Sequence, residues 1–311
     1  MKNKILQLKK KKNAVILAHY YTRPEVQEIA DFVGDSLALS QKAAATDADI
    51  ILFAGVHFMA ETAKIINPSK KVIIPNLAAG CSLADSCPAD AFAKFLEKYP
   101  QYTVLSYINC SAQVKALSDI IVTSGNALRI VNSLPKDEKI VFAPDRNLGN
   151  YINQKLGRNM VLWDGACHVH DQIQEEEVLE VRDLHPEAQV IAHPECPSKV
   201  LKYADYIGST AAMLKYVKES SATSFIVVTE QGILHELQKQ NPEKVFYTLD
   251  TPRSCEGKTG DCLYCAYCVH MKLNTLENIL QALETEQPEI TMDEELMARA
   301  RKSIERMLSF N

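Results

Sequence analysis

Short apolar runs recur along the chain, each closed by polar residues and followed by a stretch with helical spacing. Three of them, AVILA, TVLS and QVIA, lead into the tripeptides His19-Tyr20-Tyr21, Tyr107-Ile108-Asn109 and His193-Pro194-Glu195. After each comes a helical stretch and then a short segment, ADFVGDS, SDIIVTS or ADYIGST, which carries Ser36, Ser124 or Thr210. Each hydroxyl residue lies 17 positions after the first residue of its tripeptide. A helix follows in every copy (LALSQKAAAT, GNALRIVNSL, AAMLKYVKES), then a strand (IILFAG, IVFAPD, FIVVTE), another helix and a last strand (KVIIP, NMVLW, KVFYT). A repeat of this period is one supersecondary unit used three times.

Strands alternating with helices of about ten residues predict parallel sheets covered by helices on both faces. The chain therefore reads as α/β, with three similar αβα units bounded at 1–86, 87–171 and 172–311. Residues 87–99 and 170–186 are expected to be connecting helices. Two C-terminal helices, over 273–286 and 293–310, are expected to join across Gln287-Pro288. The lysine run Lys9–Lys12 suits the end of an N-terminal helix, where cations complement the dipole.

Ligands of such sheets bind beyond the carboxyl ends of the strands. The three tripeptides all sit at that edge. Ser36, Ser124 and Thr210 mark the starts of helices, where a hydroxyl serves either as an N-cap or, with the free N–H groups, as an anion site. Three equivalent positions at one edge favour the anion site. Asp145-Arg146-Asn147 reads as a helix-initiating turn outside the site. His57, Met59 and Glu61 serve packing as readily as chemistry.

Of the 311 residues, 47% are hydrophobic and 23% charged, with a formal net charge of −5. That balance excludes wholesale disorder and supplies no basic face for nucleic acid. No apolar stretch approaches the ~20 residues of a membrane span, and MKNKILQLKKKKN lacks a secretory signal's apolar region. A cytoplasmic protein without a membrane partner is expected. The two commonest phosphate cradles, G-x-G-x-x-G and G-x-x-x-x-G-K-[ST], are absent, which argues against a nicotinamide-dependent oxidoreductase.

Nine cysteines in a reducing compartment do not read as a disulfide framework. Cys81 and Cys167 each follow the last strand of their copy, and the third copy places Cys255, Cys262, Cys265 and Cys268 in that region. If the three units meet about a pseudo-threefold axis, one cysteine from each converges on a point, a seat for an iron–sulfur cluster. The two C-x-x-C pairs keep zinc open, with His168 or His270 as a further ligand, and so do the histidines of Cys167-His168-Val169-His170. Cys87, Cys110 and Cys196 fit no repeat position and read as buried small hydrophobes.

The segments ILAHYY, DFVGDSLALS, GVHFMAETAKIINPSKKV, AGCSLAD, YINCSAQVKALSDIIVTSGNA, FAPDRNLG, AHPEC, ADYIGST and CVHMKLNTLENIL together resemble the quinolinate synthase family. The resemblance implies three stacked α/β domains in a triangle, with a [4Fe–4S] cluster on three cysteines at the centre. It implies condensation of iminoaspartate with dihydroxyacetone phosphate to quinolinate, with loss of phosphate and water. It also implies transient contact with the oxidase that supplies iminoaspartate. Carried over by motif, the ligands are Cys81, Cys167 and Cys268, the last because it precedes the MKLNTLE segment; repeat spacing alone favours Cys255. Glu195, Tyr21, His19, Tyr107 and His193 are then the acid–base set. Ser36, Asn109, Ser124, Ser209 and Thr210 join His19, Tyr107, His193 and Glu195 in holding substrate. A noncatalytic iron–sulfur redox sensor is the alternative; three ligands and a dense acid–base set oppose it.

Overall fold

The computed structural model describes residues 1–249 and 266–310. Among the described residues, twelve strands form three four-stranded sheets. The first holds β1 (Ala14–His19), β2 (Phe32–Gly34), β3 (Ile50–Ala54) and β4 (Lys71–Ile73). The second holds β5 (Thr103–Tyr107), β6 (Ile120–Val122), β7 (Ile140–Ala143) and β8 (Val161–Leu162). The third holds β9 (Gln189–Ala192), β10 (Tyr206–Ile207), β11 (Ser224–Val228) and β12 (Val245–Tyr247). The strand orders are β2-β1-β3-β4, β6-β5-β7-β8 and β10-β9-β11-β12, and the three are topologically identical. Every ladder pair is parallel. All twelve strands fall where the apolar pattern placed them.

Strands buried on both faces need continuous apolar runs, and β3 and β11 are buried at every position. The repeat extends to a polar device at the start of each sheet. Asp31, Asp119 and Asp205, each 15 residues after its partner, accept the backbone N–H of Ile16, Val104 and Val190 at 2.8, 2.8 and 2.7 Å. Their own N–H groups donate back to the carbonyls of the same three residues. The carboxylate satisfies a strand N–H at the point where the short second strand has not yet begun to pair.

The connecting helices are present as Ala89–Leu96 and Glu175–Leu184. The first helix, Lys2–Lys11, ends in Lys9, Lys10 and Lys11, as the dipole favours. Its end is also tied down, because Lys9 pairs with Asp31 and Lys12 with Glu286. The C-terminal helices return to the first two sheets. Leu276–Thr285 packs on the first helix and β3, and Glu294–Leu308 packs on the helix Ala112–Ala116 and β6. Ser303 of this last helix donates to the Lys115 carbonyl at 2.8 Å. No helix among the described residues is long and apolar enough to cross a membrane.

In an order of this type the chain leaves the first strand on one side and returns on the other, opening a crevice at its carboxyl end. His19, Tyr107 and the residue pair Ala192–His193 mark the three such ends.

Candidate active site and metal centre

One pocket collects residues from all three sheets. It is lined by His19, Tyr21 and Ser36 from the first, and by Tyr107, Asn109 and Ser124 from the second. His193, Glu195 and Thr210 come from the third, and Cys81, Cys167 and Cys268 complete the wall. Of the residues singled out in the sequence, Ser209 stands apart. Its hydroxyl accepts the Ala212 N–H at 3.3 Å and caps the helix Thr210–Glu219, while Thr210 takes the first helical position and faces the pocket. In the first sheet Asp35 likewise caps the helix Ser36–Ala45 and Ser36 follows it, but there both residues line the pocket. The cap and the lining hydroxyl are therefore adjacent residues.

Two histidines present the same tautomer by the same means. His19 Nδ1 accepts the Tyr21 N–H at 3.1 Å, and His193 Nδ1 accepts the Glu195 N–H at 3.4 Å. Each ring then carries its proton on Nε2, and His193 Nε2 lies 3.3 Å from Ser124 Oγ. Burial is the main cause that lowers His19 to about 3, helped by His193 and Lys272. Burial likewise lowers His193 to about 4, against the pull of Glu195. Both are neutral donors at pH 7.

Glu195 is buried at the centre. Tyr107 donates to its Oε1 at 2.5 Å, and His170 Nδ1 lies 2.8 Å from its Oε2. Burial pushes this carboxyl up, but His170 and His193 outweigh it and hold it at about 2, so it is ionised. Asn147 fixes its backbone, donating to the Glu195 carbonyl at 3.0 Å. Tyr107 is pushed well up by burial first and the Glu195 charge second. The Tyr21 hydroxyl sits between Thr210 Oγ1 at 3.1 Å and Thr229 Oγ1 at 2.8 Å. Asn109 Oδ1 and Thr123 Oγ1 are buried in the pocket wall with no hydrogen-bond partner among the described residues. Among the described residues neither Lys nor Arg lines the pocket, and the donors its lining offers there are neutral.

The three pocket cysteines share a local seat. Cys81 and Cys167 are the N-cap residues of the short helices Ser82–Asp85 and His168–Asp171. Cys268 precedes the helical turn Met271–Leu273. The backbone N–H groups three residues on, of Ala84, His170 and Met271 respectively, act to lower each thiol, but burial outweighs them. Burial pushes Cys81 up to about 12 and Cys268 up to about 11, and Cys167 is raised well above its ordinary value. A metal centre bound by these thiols would replace those protons. The sulfurs are near enough that each of Cys81 and Cys268 raises Cys167. They are nevertheless too dispersed for a single ion. Among the described residues, one set of three donors brings its ligand atoms within 4.8 Å of one another, and it is Cys167, His170 and Glu195. Three thiols around one cavity, spread beyond the reach of one ion, fit a multinuclear cluster. Cys255, Cys262 and Cys265 lie outside the described residues.

Other groups position the site. Asp145, the N-cap of the helix Arg146–Leu156, accepts the Leu148 N–H at 2.7 Å and the Cys167 N–H at 3.3 Å. The turn Asp145-Arg146-Asn147 thus starts a helix and also anchors Cys167 and Glu195. Lys272 is buried against Glu230 at 2.9 Å and donates to the Tyr21 carbonyl at 2.5 Å. The same Glu230 oxygen accepts the Cys268 N–H at 3.1 Å. Gly232 allows this junction to close, because a Cβ there would stand 2.7 Å from the Tyr21 Cα. Met59 lines the pocket, while Glu61 accepts the Ala112 N–H at 3.0 Å and is structural. Cys87, Cys110 and Cys196 are buried.

His170, which the sequence offers only as a zinc ligand beside Cys167, also belongs to the acid–base site. It bridges Cys167 at 3.3 Å, Glu195 at 2.8 Å and Thr229 at 2.9 Å. The local signal was the spacing Cys167-x-x-His170; the contact with Glu195 depends on the fold.

The family model described as Quinolinate synthetase A protein (NadA) matches residues 3–309. A quinolinate synthase of Rippkaea orientalis is 54% identical over 307 residues, covering 99% of this chain and 92% of its own. Quinolinate synthases of Thermosynechococcus vestitus and a Synechocystis species are each 54% identical over 307 residues, covering 99% of this chain and 94% of their own.

Proposed function

The chain belongs to the quinolinate synthase family and is an enzyme of NAD biosynthesis, and from that premise we propose how its pocket makes quinolinate. The substrates are iminoaspartate and dihydroxyacetone phosphate, condensed in the cytoplasm with loss of phosphate and water. Cys81, Cys167 and Cys268 hold a [4Fe–4S] cluster. When bound, that group supplies an iron without a protein ligand, a Lewis acid for a substrate oxygen. The units 1–86, 87–171 and 172–311 stand about a pseudo-threefold axis, which brings one cysteine of each to the centre.

The chain's own residues divide the remaining work. Ionised Glu195 accepts a proton from substrate carbon or nitrogen, and the adjacent Tyr107 hydroxyl supplies or relays one. The Nε2–H groups of His19 and His193 donate to substrate oxygens without adding charge. Ser36 and Thr210, each at the first turn of a ten-residue helix, hold carboxylates and phosphate together with the free N–H groups there. Ser124 adds a third hydroxyl beside His193. Asn109 Oδ1, an acceptor with no partner among the described residues, suits the substrate N–H.

The observation that carries this reading is the gathering of Tyr107, Glu195 and the three cysteines, distant in sequence, around one pocket. Anaerobically purified protein given the two substrates should release quinolinate and phosphate together. Phosphate release without quinolinate would overturn the assignment of substrates to this pocket.

A further inference from the structure

We propose that the cluster-free chain binds one divalent metal ion of the zinc type on Cys167 Sγ, His170 Nδ1 and Glu195 Oε2. The three donor atoms lie within 4.8 Å of one another; His170 and Glu195 are buried and Cys167 half-buried. His170 Nδ1 is 3.3 Å from the Cys167 sulfur and 2.8 Å from Glu195 Oε2. Thiolate, imidazole and carboxylate are the donors zinc takes, and three of them leave a fourth position for water.

The surroundings are those of a ligand set. Cys167 and His170 are joined by a single helical turn, which holds their spacing. The other ring nitrogen of His170 lies 2.9 Å from Thr229 Oγ1, a hydrogen bond of the kind that orients metal-binding histidines. Tyr107 occupies Glu195 Oε1 and leaves Oε2 to face the histidine. An ion entering here takes the place of the hydrogen between His170 Nδ1 and Glu195, which passes to Nε2 facing Thr229 Oγ1, and the Cys167 thiol proton is released to solvent.

Two consequences follow from the overlap. The ion takes Cys167, which the proposed cluster also needs, and it takes Glu195, the proposed base. Metal and cluster therefore exclude each other, and this part rests on the cluster reading above. The ion site itself rests only on the three donors.

The test uses the full chain, metal-free, reduced and anaerobic, with zinc affinity read by competition against a chromophoric chelator and coordination read from the cobalt(II) spectrum. Wild type should bind one ion with a thiolate charge-transfer band. The Cys81→Ser/Cys268→Ser double variant, which has lost two cluster ligands, should bind it with affinity within about threefold of wild type. His170→Ala should weaken binding by on the order of tenfold or more. Glu195→Gln, nearly isosteric, should weaken it similarly and guards against misfolding of the histidine variant. Loss of the ion in the double variant with retention in His170→Ala would place the metal on the three thiols and overturn the proposal. Should wild type fail to assemble a cluster from iron and sulfide while zinc still follows the expected pattern, the cluster reading falls and the ion site stands.

Discussion

Tyr107 donates its hydroxyl hydrogen to Glu195 Oε1 at 2.5 Å, joining the end of β5 to the loop after β9. The bond crosses between two sheets, so the acid–base pair exists only when both are assembled. With His170 on the other carboxylate oxygen, it leaves the charge of Glu195 fully partnered though buried.

Glu195→Gln should therefore retain the fold and lose turnover by about 10²–10⁴-fold, the usual contribution of a positioned acid–base group. Anaerobic kcat, measured beside iron content, checks this. Near-wild-type turnover would remove Glu195 from proton transfer.

Ser36→Ala, Ser124→Ala and Thr210→Val each delete one neutral donor to an anion, worth about 1.5–3 kcal/mol. Substrate KM should rise by roughly 10–100-fold in each, with iron content unchanged because no thiol is touched; at Ser36 and Thr210 the helix N–H groups remain and keep the loss partial. Unchanged KM in all three would confine these hydroxyls to local structure.

Lys272→Met leaves the Glu230 carboxylate buried without its cation, a change that costs about 3–5 kcal/mol. A urea midpoint well below wild type is expected. The double variant Lys272→Met/Glu230→Gln should recover much of that loss, since it removes the stranded charge. No recovery would assign the effect to the lost Lys272–Tyr21 carbonyl bond instead.

Acid should destabilise the protein through His19. Its folded-state value of about 3 lies below the ordinary 6.5, so below pH 6.5 the unfolded chain takes up a proton that the folded chain refuses. Stability is lost as pH falls from 6.5 towards 3, by about 2 kcal/mol between pH 7 and pH 5. Urea midpoints of cluster-free protein across that range should fall more steeply for wild type than for His19→Asn. Parallel slopes would show that His19 is protonated in the folded state.

The strands were legible because each is an apolar run, short and bounded, repeated three times with one topology. The sheet-start aspartates were present in the same repeat, at Asp31, Asp119 and Asp205, but their role shows only once the second strand is seen pairing late. The helix-start hydroxyls Ser36 and Thr210 were found, yet the caps proper are Asp35 and Ser209, one residue earlier, and Ser124 does not start a helix but sits in the turn before Ala127–Ser133, whose N-cap is Asn126. A cap and its neighbour differ by a rotation about the helix axis that composition does not encode. The His170–Glu195 contact and the Lys272–Glu230 pair escaped because the partners lie far apart along the chain. Burial makes these contacts consequential, and burial of a polar residue is a property of the assembled fold.

Iron and sulfide content of the anaerobically purified protein and its cysteine variants tests the central claim most directly. Wild type should carry roughly four of each per chain. Cys81→Ala, Cys167→Ala and Cys268→Ala should each lose the cluster and quinolinate formation together. Cys255→Ala and the Cys262→Ser/Cys265→Ser double variant should keep both. A full cluster in Cys268→Ala, or its loss in the double variant with Cys268 intact, would contradict the ligand set on which the account rests.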